Sequence, residues 1–222
     1  QEIRQGMKKY NSKSSLGLLM DVTNGEIFSM VSLPDFNPNH PSKIRAYTEN
    51  NLVTNARFEM GSTLKMFNAA MAIENNSVDK NDLFDVSKDY KLTNTYLVKD
   101  HKKLEKPINF NEVFIESSNI GSIKVLEKTG VEKQKDFFYS LGFNEKVILK
   151  GLSSIENNLP NHSEWNDVRS KSISYGYGIS ITPLSLVKIF SSIVNGGYIV
   201  KPSITFNERP YKERVLKKET SD

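Results

Sequence analysis

The sequence predicts an α+β domain in which helices pack on an antiparallel sheet built from distant parts of the chain. Three observations lead there. A hairpin signal opens the chain, helical segments with recognisable ends fill its middle and second half, and a short apolar strand follows the last of them. With 222 residues, 37% of them hydrophobic and 25% charged, the chain is long enough to bury a core without disulfides or metal. We expect a single domain over residues 1–222, with a lead-in of about 1–13 and a charged, loosely held tail of about 207–222.

Leu16–Val22 and Glu26–Ser32 flank Asn24-Gly25, a pair suited to a two-residue type I′ turn because both central positions need positive φ. The Pro- and Asn-rich stretch Leu33–Ser42 reads as loop. Gly61–Glu74 is apolar at Leu64, Met66, Phe67, Ala69, Ala70, Met71, Ala72 and Ile73. A helix apolar on all sides is a central, buried one. Residues 75–107 are mixed and charged, which suits loops and short strands. A helix over Asn111–Glu116 breaks at Ser117-Ser118-Asn119 and resumes over Ile120–Thr129, with Gly130 at the C′ position. Another helix spans about Glu132–Leu141. Thr182-Pro183 pairs an N-cap with Pro at N1 and opens a helix to about Val194, after which Asn195-Gly196-Gly197 leads into a strand at Tyr198–Val200.

Composition narrows the chemistry. There is no Cys, hence no disulfide, thiolate metal site or Cys nucleophile. His40, His101 and His162 stand alone in loop-like contexts, and no HExxH, P-loop, EF-hand, GxGxxG or GxSxG occurs, so no metal or cofactor is expected. The net charge of +4 comes from 24 Lys and 6 Arg spread along the chain, a solvated surface and not the Arg-rich face of a nucleic-acid reader. The longest charge-free stretch, Ser172–Val187, is interrupted by polar residues and falls short of the ~20 apolar residues of a membrane span. Because the chain starts at Gln1, it reads as a piece of a longer protein.

Two short constellations carry chemistry. Ser62 and Lys65 are three residues apart at the start of the apolar helix, so their side chains share a face. The unpaired N–H groups there suit a developing oxyanion, and burial together with the positive dipole end depresses the pKa of Lys65. A neutral amine beside a hydroxyl is a general base for a serine nucleophile. The same four residues also fit an N-cap Ser followed by a Lys that extends off a core helix. The second constellation, Ser117-x-Asn119, falls 55 residues after Ser62 in a break between helices. A hydroxyl and an amide presented there could relay a proton and hold a substrate amide, or simply cap the helix.

Taken with their surroundings, these motifs resemble the transpeptidase domain of class B penicillin-binding proteins of the division-specific, FtsI-like type. The resemblance is carried by LGLLMDVTNGEIFSMVSLPDFNPN, NLVTNARFEMGSTLKMF, FNEVFIESSNIGSIKV and EWNDVRSKSISYGYGISITPLSLVKIFSSIVNGG, from about Ser14 to Pro202. It implies the penicillin-binding-protein and serine β-lactamase fold. By position it implies Ser62 as acylated nucleophile, Lys65 as its base, Ser117 as proton relay to the leaving group and Asn119 as ligand of the substrate's peptide carbonyl. The implied reaction attacks the penultimate D-Ala of a peptidoglycan stem peptide and cross-links it to a neighbouring stem. β-Lactams would acylate the same serine, and division-site membrane proteins would be partners. The domain would lie outside the bacterial inner membrane.

Two departures accompany the resemblance. Met60 stands where family members often carry Pro, and the family's Lys-[Ser/Thr]-Gly motif is expected beyond Asp222, so the chain reads as C-terminally incomplete. The literal Lys128-Thr129-Gly130 comes only nine residues after Asn119, at a predicted helix end, and is read as a cap. Two other functions stay open on the same residues: a penicillin-recognising module that does no chemistry, and a serine β-lactamase or β-lactam sensor. Tyr175-Gly176-Tyr177-Gly178 reads as tight backbone ahead of Thr182, with a cleft wall as its functional alternative, and Trp165 as packing.

Overall fold

The computed structural model describes residues 1–40, 42, 50–206 and 209–222. Position 41 of the Pro-rich loop and positions 207–208 at the start of the expected tail lie outside the described residues. The fold is α+β, and its helices surround a core centred on α3, Lys65–Glu74. Among the described residues the strands form four two-stranded antiparallel ladders.

The first ladder joins β1 (Ser15–Met20) to β2 (Ile27–Leu33), with Ser15 opposite Leu33 and a register irregularity at Leu19/Met20. Helix α1 (Glu2–Lys9) lies over it; a Cβ at Gly17 would come within 2.9 Å of Ile3. The connection is longer than the expected two-residue type I′ turn. The Asp21 carboxylate accepts from the N–H and Oγ of Thr23, both at 2.7 Å, and Gly25, but not Asn24, takes a positive φ, +82°. The reason is tertiary. Ser203 donates its N–H to the Gly25 carbonyl at 2.9 Å, and a Cβ at Gly25 would lie 2.3 Å from the Lys201 carbonyl oxygen. A remote segment fixes this turn, so the local dipeptide does not decide its type.

Short strands occupy residues 83–109, as the mixed composition there suggests: β3 (Leu83–Phe84), β4 (Tyr90–Lys91), β5 (Leu97–Val98) and β6 (Ile108–Asn109). β3 pairs with β6, and β4 with β5. Helix α2 (Leu52–Asn55) precedes the motif region. Helix α4 (Phe110–Ile115) starts with a capping box in which Asn109 and Glu112 bond each other's backbone N–H groups. Then follow α5 (Asn119–Thr129), α6 (Val131–Ser140), α7 (Asp167–Ser174) and α8 (Pro183–Val194), the last with Thr182 as N-cap and Pro183 in its first turn, as expected.

Phe67 is the hub of the core. Its ring packs edge-on against Phe143 at 5.1 Å between centroids. Phe143 meets Phe138 at 4.4 Å, and Phe138 meets Trp165 at 5.8 Å. Trp165 is fully buried and donates its indole N–H to Gln134 Oε1 at 3.1 Å, so it packs with its polar atom satisfied. The expected all-round burial of α3 holds on the faces that carry Phe67, Ala70, Met71 and Ala72, whereas Ile73 is 40% exposed. Phe67→Ala should lower unfolding free energy by about 3–5 kcal/mol in a chemical denaturation experiment, through lost transfer free energy and the cavity left behind. A loss under about 1 kcal/mol would mean that α3 is not the centre of the core.

The expected loose tail is a correction. From 209 onward the chain pairs and packs: β8 (Lys212–Arg214) forms a ladder with β7 (Tyr198–Val200), and Leu216 is buried. The Arg214 guanidinium lies over the Tyr198 ring at 4.3 Å. Lys217 donates its Nζ to the Glu74 carbonyl at 2.8 Å and its backbone N–H to the Glu74 carboxylate at 3.1 Å, which ties the short helix α9 (Lys218–Ser221) to the end of α3. High charge predicts solvation, but here Leu216 and the partners of Glu74 outweigh it.

Candidate active site

The chain enters α3 through a 3-10 turn, Gly61–Leu64, and not through regular α-helix as expected. The Lys65 backbone N–H bonds the Ser62 carbonyl, and at three residues per turn side chains three apart lie one over the other. Ser62 is exposed and Lys65 is 5% exposed. The turn therefore places an exposed serine one turn ahead of a buried lysine.

The Lys65 ammonium reaches across to the break between α4 and α5. Its Nζ donates to Ser117 Oγ at 3.0 Å and to the Ser117 carbonyl. Among the described residues no hydrogen bond joins the Ser62 and Lys65 side chains directly. Burial pushes the Lys65 pKa down to about 8, against the nearby negative charge of Asp100, which acts to raise it. At pH 7 roughly one molecule in ten then carries a neutral amine at this position.

Ser117 adopts φ +52°, unusual for a residue other than glycine. Its N–H bonds the Phe114 carbonyl at 3.1 Å and the next N–H, of Ser118, bonds that of Val113 at 3.0 Å; with Lys65 on its two oxygens, the conformation is fixed from both sides. The N-cap of α5 is Ser118, whose Oγ accepts from Gly121 N–H at 2.8 Å. Ser117 and Asn119, the residues that capping could have explained, are thus left for other work. Asn119 uses one amide hydrogen on the Lys99 carbonyl at 2.9 Å and remains partly exposed. Helix α5 is locked to α3 by Asn68 Nδ2, which donates to the Ser122 carbonyl at 2.9 Å.

The Gly-Tyr-Gly segment backs the turn that carries Ser62. Gly61 N–H bonds the Gly176 carbonyl at 3.2 Å, and a Cβ at Gly176 would lie 1.9 Å from the Gly61 carbonyl oxygen. Gly178 donates its N–H to Glu59 Oε1 at 2.8 Å. The tight-backbone reading of this segment is supported, and its tightness serves the turn that holds Ser62. Tyr175 is buried, while Tyr177 is half exposed. Lys128-Thr129-Gly130 has structural duties only: Lys128 pairs with Asp82 at 2.8 Å, Thr129 bonds back to the Val125 carbonyl at 3.0 Å, and Gly130 ends α5 at φ +97°.

Sequence reasoning missed Asp100, Gly176's contact with Gly61 and Glu59. Asp100 sits in a run of mixed charge, Lys99-Asp100-His101-Lys102-Lys103, that offers no pattern to distinguish it. Among the described residues no group of three or more His, Asp or Glu able to hold a metal occurs.

A buried lysine, a serine in line with it at a helix start and a Ser-x-Asn break facing that lysine define the arrangement of a serine acyl-transfer site. The penicillin binding protein transpeptidase domain family matches residues 16–222, and the chain belongs to that family. It is 29% identical over 223 residues to a protein of Caulobacter vibrioides named probable peptidoglycan D,D-transpeptidase FtsI, covering 99% of this chain and 37% of that protein. It is 25% identical over 224 residues to peptidoglycan D,D-transpeptidase FtsI of Buchnera aphidicola, covering 98% of this chain and 38% of that protein. The chain thus spans well under half the length of these relatives. Among solved structures it matches the apo transpeptidase domain of Burkholderia pseudomallei penicillin-binding protein 3 with a TM-score of 0.85 at 22% identity, covering 99% of this chain and 62% of that one. The shared fold is therefore that of a penicillin-binding transpeptidase domain.

Proposed function

We propose that this domain is the catalytic part of a peptidoglycan D,D-transpeptidase of the FtsI-like, division-specific type. The observation that carries the reading is Lys65, buried at the start of α3 in register with Ser62 and bonded to Ser117 Oγ at 3.0 Å. Neutral Lys65 takes the Ser62 hydroxyl proton as Ser62 Oγ bonds to the carbonyl carbon of the penultimate D-Ala. The peptide C–N bond then breaks, and the proton passes by way of Ser117 to the departing D-Ala amine. Asn119, whose oxygen and second amide hydrogen have no partner among the described residues, holds the substrate amide. The Ser62 backbone N–H supplies one oxyanion donor. An amine from a neighbouring stem peptide attacks the resulting ester, forms the cross-link and returns the proton to Ser62. A β-lactam enters by the same first step and remains as the ester.

For the whole protein, the FtsI-named relatives support a reading with division-site membrane proteins as partners and the domain held outside the inner membrane. No helix among the described residues is long and apolar enough to cross a membrane. As to extent, we read residues 1–222 as belonging to one domain.

The Lys65 pKa gives the test. The rate constant for acylation by a fluorescent penicillin should rise with pH and level off through about 8, as the amine loses its proton. A rate that falls across that window would remove Lys65 as base. Turnover of the β-lactam in place of a stable ester would move the reading to a β-lactamase.

A further inference from the structure

Asp100 has no part in the scheme above, yet it makes three hydrogen bonds to the first turn of α5. Its Oδ1 accepts from Asn119 N–H at 2.6 Å and Ile120 N–H at 3.1 Å, and its Oδ2 accepts from Ser118 Oγ at 2.6 Å. An ionised carboxylate on unpaired helix N–H groups is a strong, charge-assisted cap. The first N–H groups of a helix lack intrahelical partners: Ser118 takes that of Gly121 from within the chain, and Asp100 takes those of Asn119 and Ile120 from a remote segment. The preceding residue joins the same clamp, since the Lys99 carbonyl holds the Asn119 side-chain amide. The segment after β5 therefore grips Asn119 by backbone and side chain together.

Ser117 lies immediately ahead of this clamped turn. Its left-handed conformation directs both of its oxygens to Lys65, and α4 restrains it from the other side. We infer that Asp100 is a positioning residue of the acyl-transfer site: through the first turn of α5 it sets Ser117 against Lys65 and fixes Asn119 for the substrate amide. This rests on the acyl-transfer reading of Ser62, Lys65, Ser117 and Asn119. Asp100 also has an electrostatic consequence that a plain helix cap lacks. Of the groups around Lys65, Asp100 is the one whose charge bears on it, and that charge opposes the effect of burial. Ser117 offers only a neutral hydroxyl and carbonyl from the α4–α5 break, and Asn68 and Ser122 are neutral where α3 meets α5.

Two variants separate positioning from charge. Asp100→Asn keeps an acceptor oxygen of the same size and removes the charge; Asp100→Ala removes both. Competitive acetylation of Lys65 against pH, read by peptide mass, should show half-labelling at lower pH in both variants, by at least about half a pH unit. Amide hydrogen exchange at Asn119 and Ile120 should accelerate by about tenfold or more in Asp100→Ala and far less in Asp100→Asn. Acylation by a fluorescent penicillin should slow by roughly tenfold or more in Asp100→Ala, with partial recovery in Asp100→Asn. An unmoved Lys65 titration in Asp100→Asn overturns the inference, and that variant decides the matter if Asp100→Ala does not fold. Unchanged exchange in a folded Asp100→Ala overturns it equally. Failure of the acyl-transfer reading shows separately, as a wild-type chain that takes no penicillin on Ser62.

Discussion

Replacing Lys65 with Met should abolish most acylation while relieving the folded state of a buried charge. Loss of the general base lowers the acylation rate by roughly 10²–10⁴-fold. The stability effect has a defined sign. Burial depresses the folded-state pKa of Lys65 to about 8 from 10.5, so the unfolded chain binds the proton more tightly. Below about pH 8 the folded wild type bears the full penalty. Between about 8 and 10.5 the penalty fades, and above that it is gone. The shift corresponds to about 3 kcal/mol at most. The stability of Lys65→Met relative to wild type should therefore be greatest near pH 7 and decline by up to about that amount toward pH 10.5. Urea titrations of both proteins at the two pH values read it directly. A difference independent of pH would show that Lys65 is not held against its own charge. The lost bonds to the Ser117 carbonyl and hydroxyl offset part of the gain at every pH. A residue that weakens the fold in the form best suited to water is one kept for chemistry.

Gly176→Ala should damage the site from behind. A methyl group there meets the backbone of Gly61 at 1.9 Å from its oxygen and 2.2 Å from its carbon, and backbone has no rotamer in which to retreat. Gly176 also sits at φ +112°, a region that side chains rarely enter. The expected loss is about 2–4 kcal/mol of unfolding free energy, with acylation reduced more than about tenfold in molecules that still fold, because the Gly61–Leu64 turn must move. Gly151→Ala is the matched control: it too has positive φ, +82°, but open space around its Cβ. Equal losses at the two positions would show that φ, and not contact with the nucleophile turn, sets the effect.

Much of the scaffold was legible because its signals are local. Thr182-Pro183, Gly130 and the apolar run from Leu64 to Ile73 each declare a helix end or a buried face from neighbouring residues. The hairpin strands were legible for the same reason, but their turn was not: Lys201 and Ser203, nearly 180 residues away, select its shape. The tail misled because a run of Lys, Glu and Arg looks solvated until Leu216 finds the core and Glu74 collects the backbone and hydroxyl donors around it.

At the proposed site, spacing alone left Ser62 and Lys65 open between a serine–lysine pair and a helix cap, and the 3-10 turn at Gly61–Leu64 was not legible. Ser117 and Asn119 were readable as a pair of useful groups in a helix break. What selected them over capping was the assignment of the cap to Ser118, which one residue of offset decides. Asp100 carries no local signature, and the Gly-Tyr-Gly pattern around Gly176 announces tight backbone without naming its partner. Their significance comes from what the fold lays against them, the first turn of α5 in one case and Gly61 in the other.

The central claim is that Ser62 is the nucleophile and Lys65 its base. Intact-mass spectrometry of the chain after incubation with benzylpenicillin, followed by peptide mapping, tests it most directly. The account predicts an addition equal to the whole penicillin mass, located on Ser62, absent in Ser62→Ala and formed far more slowly in Lys65→Met. An adduct that persists in Ser62→Ala, or forms at the wild-type rate in Lys65→Met, would contradict it.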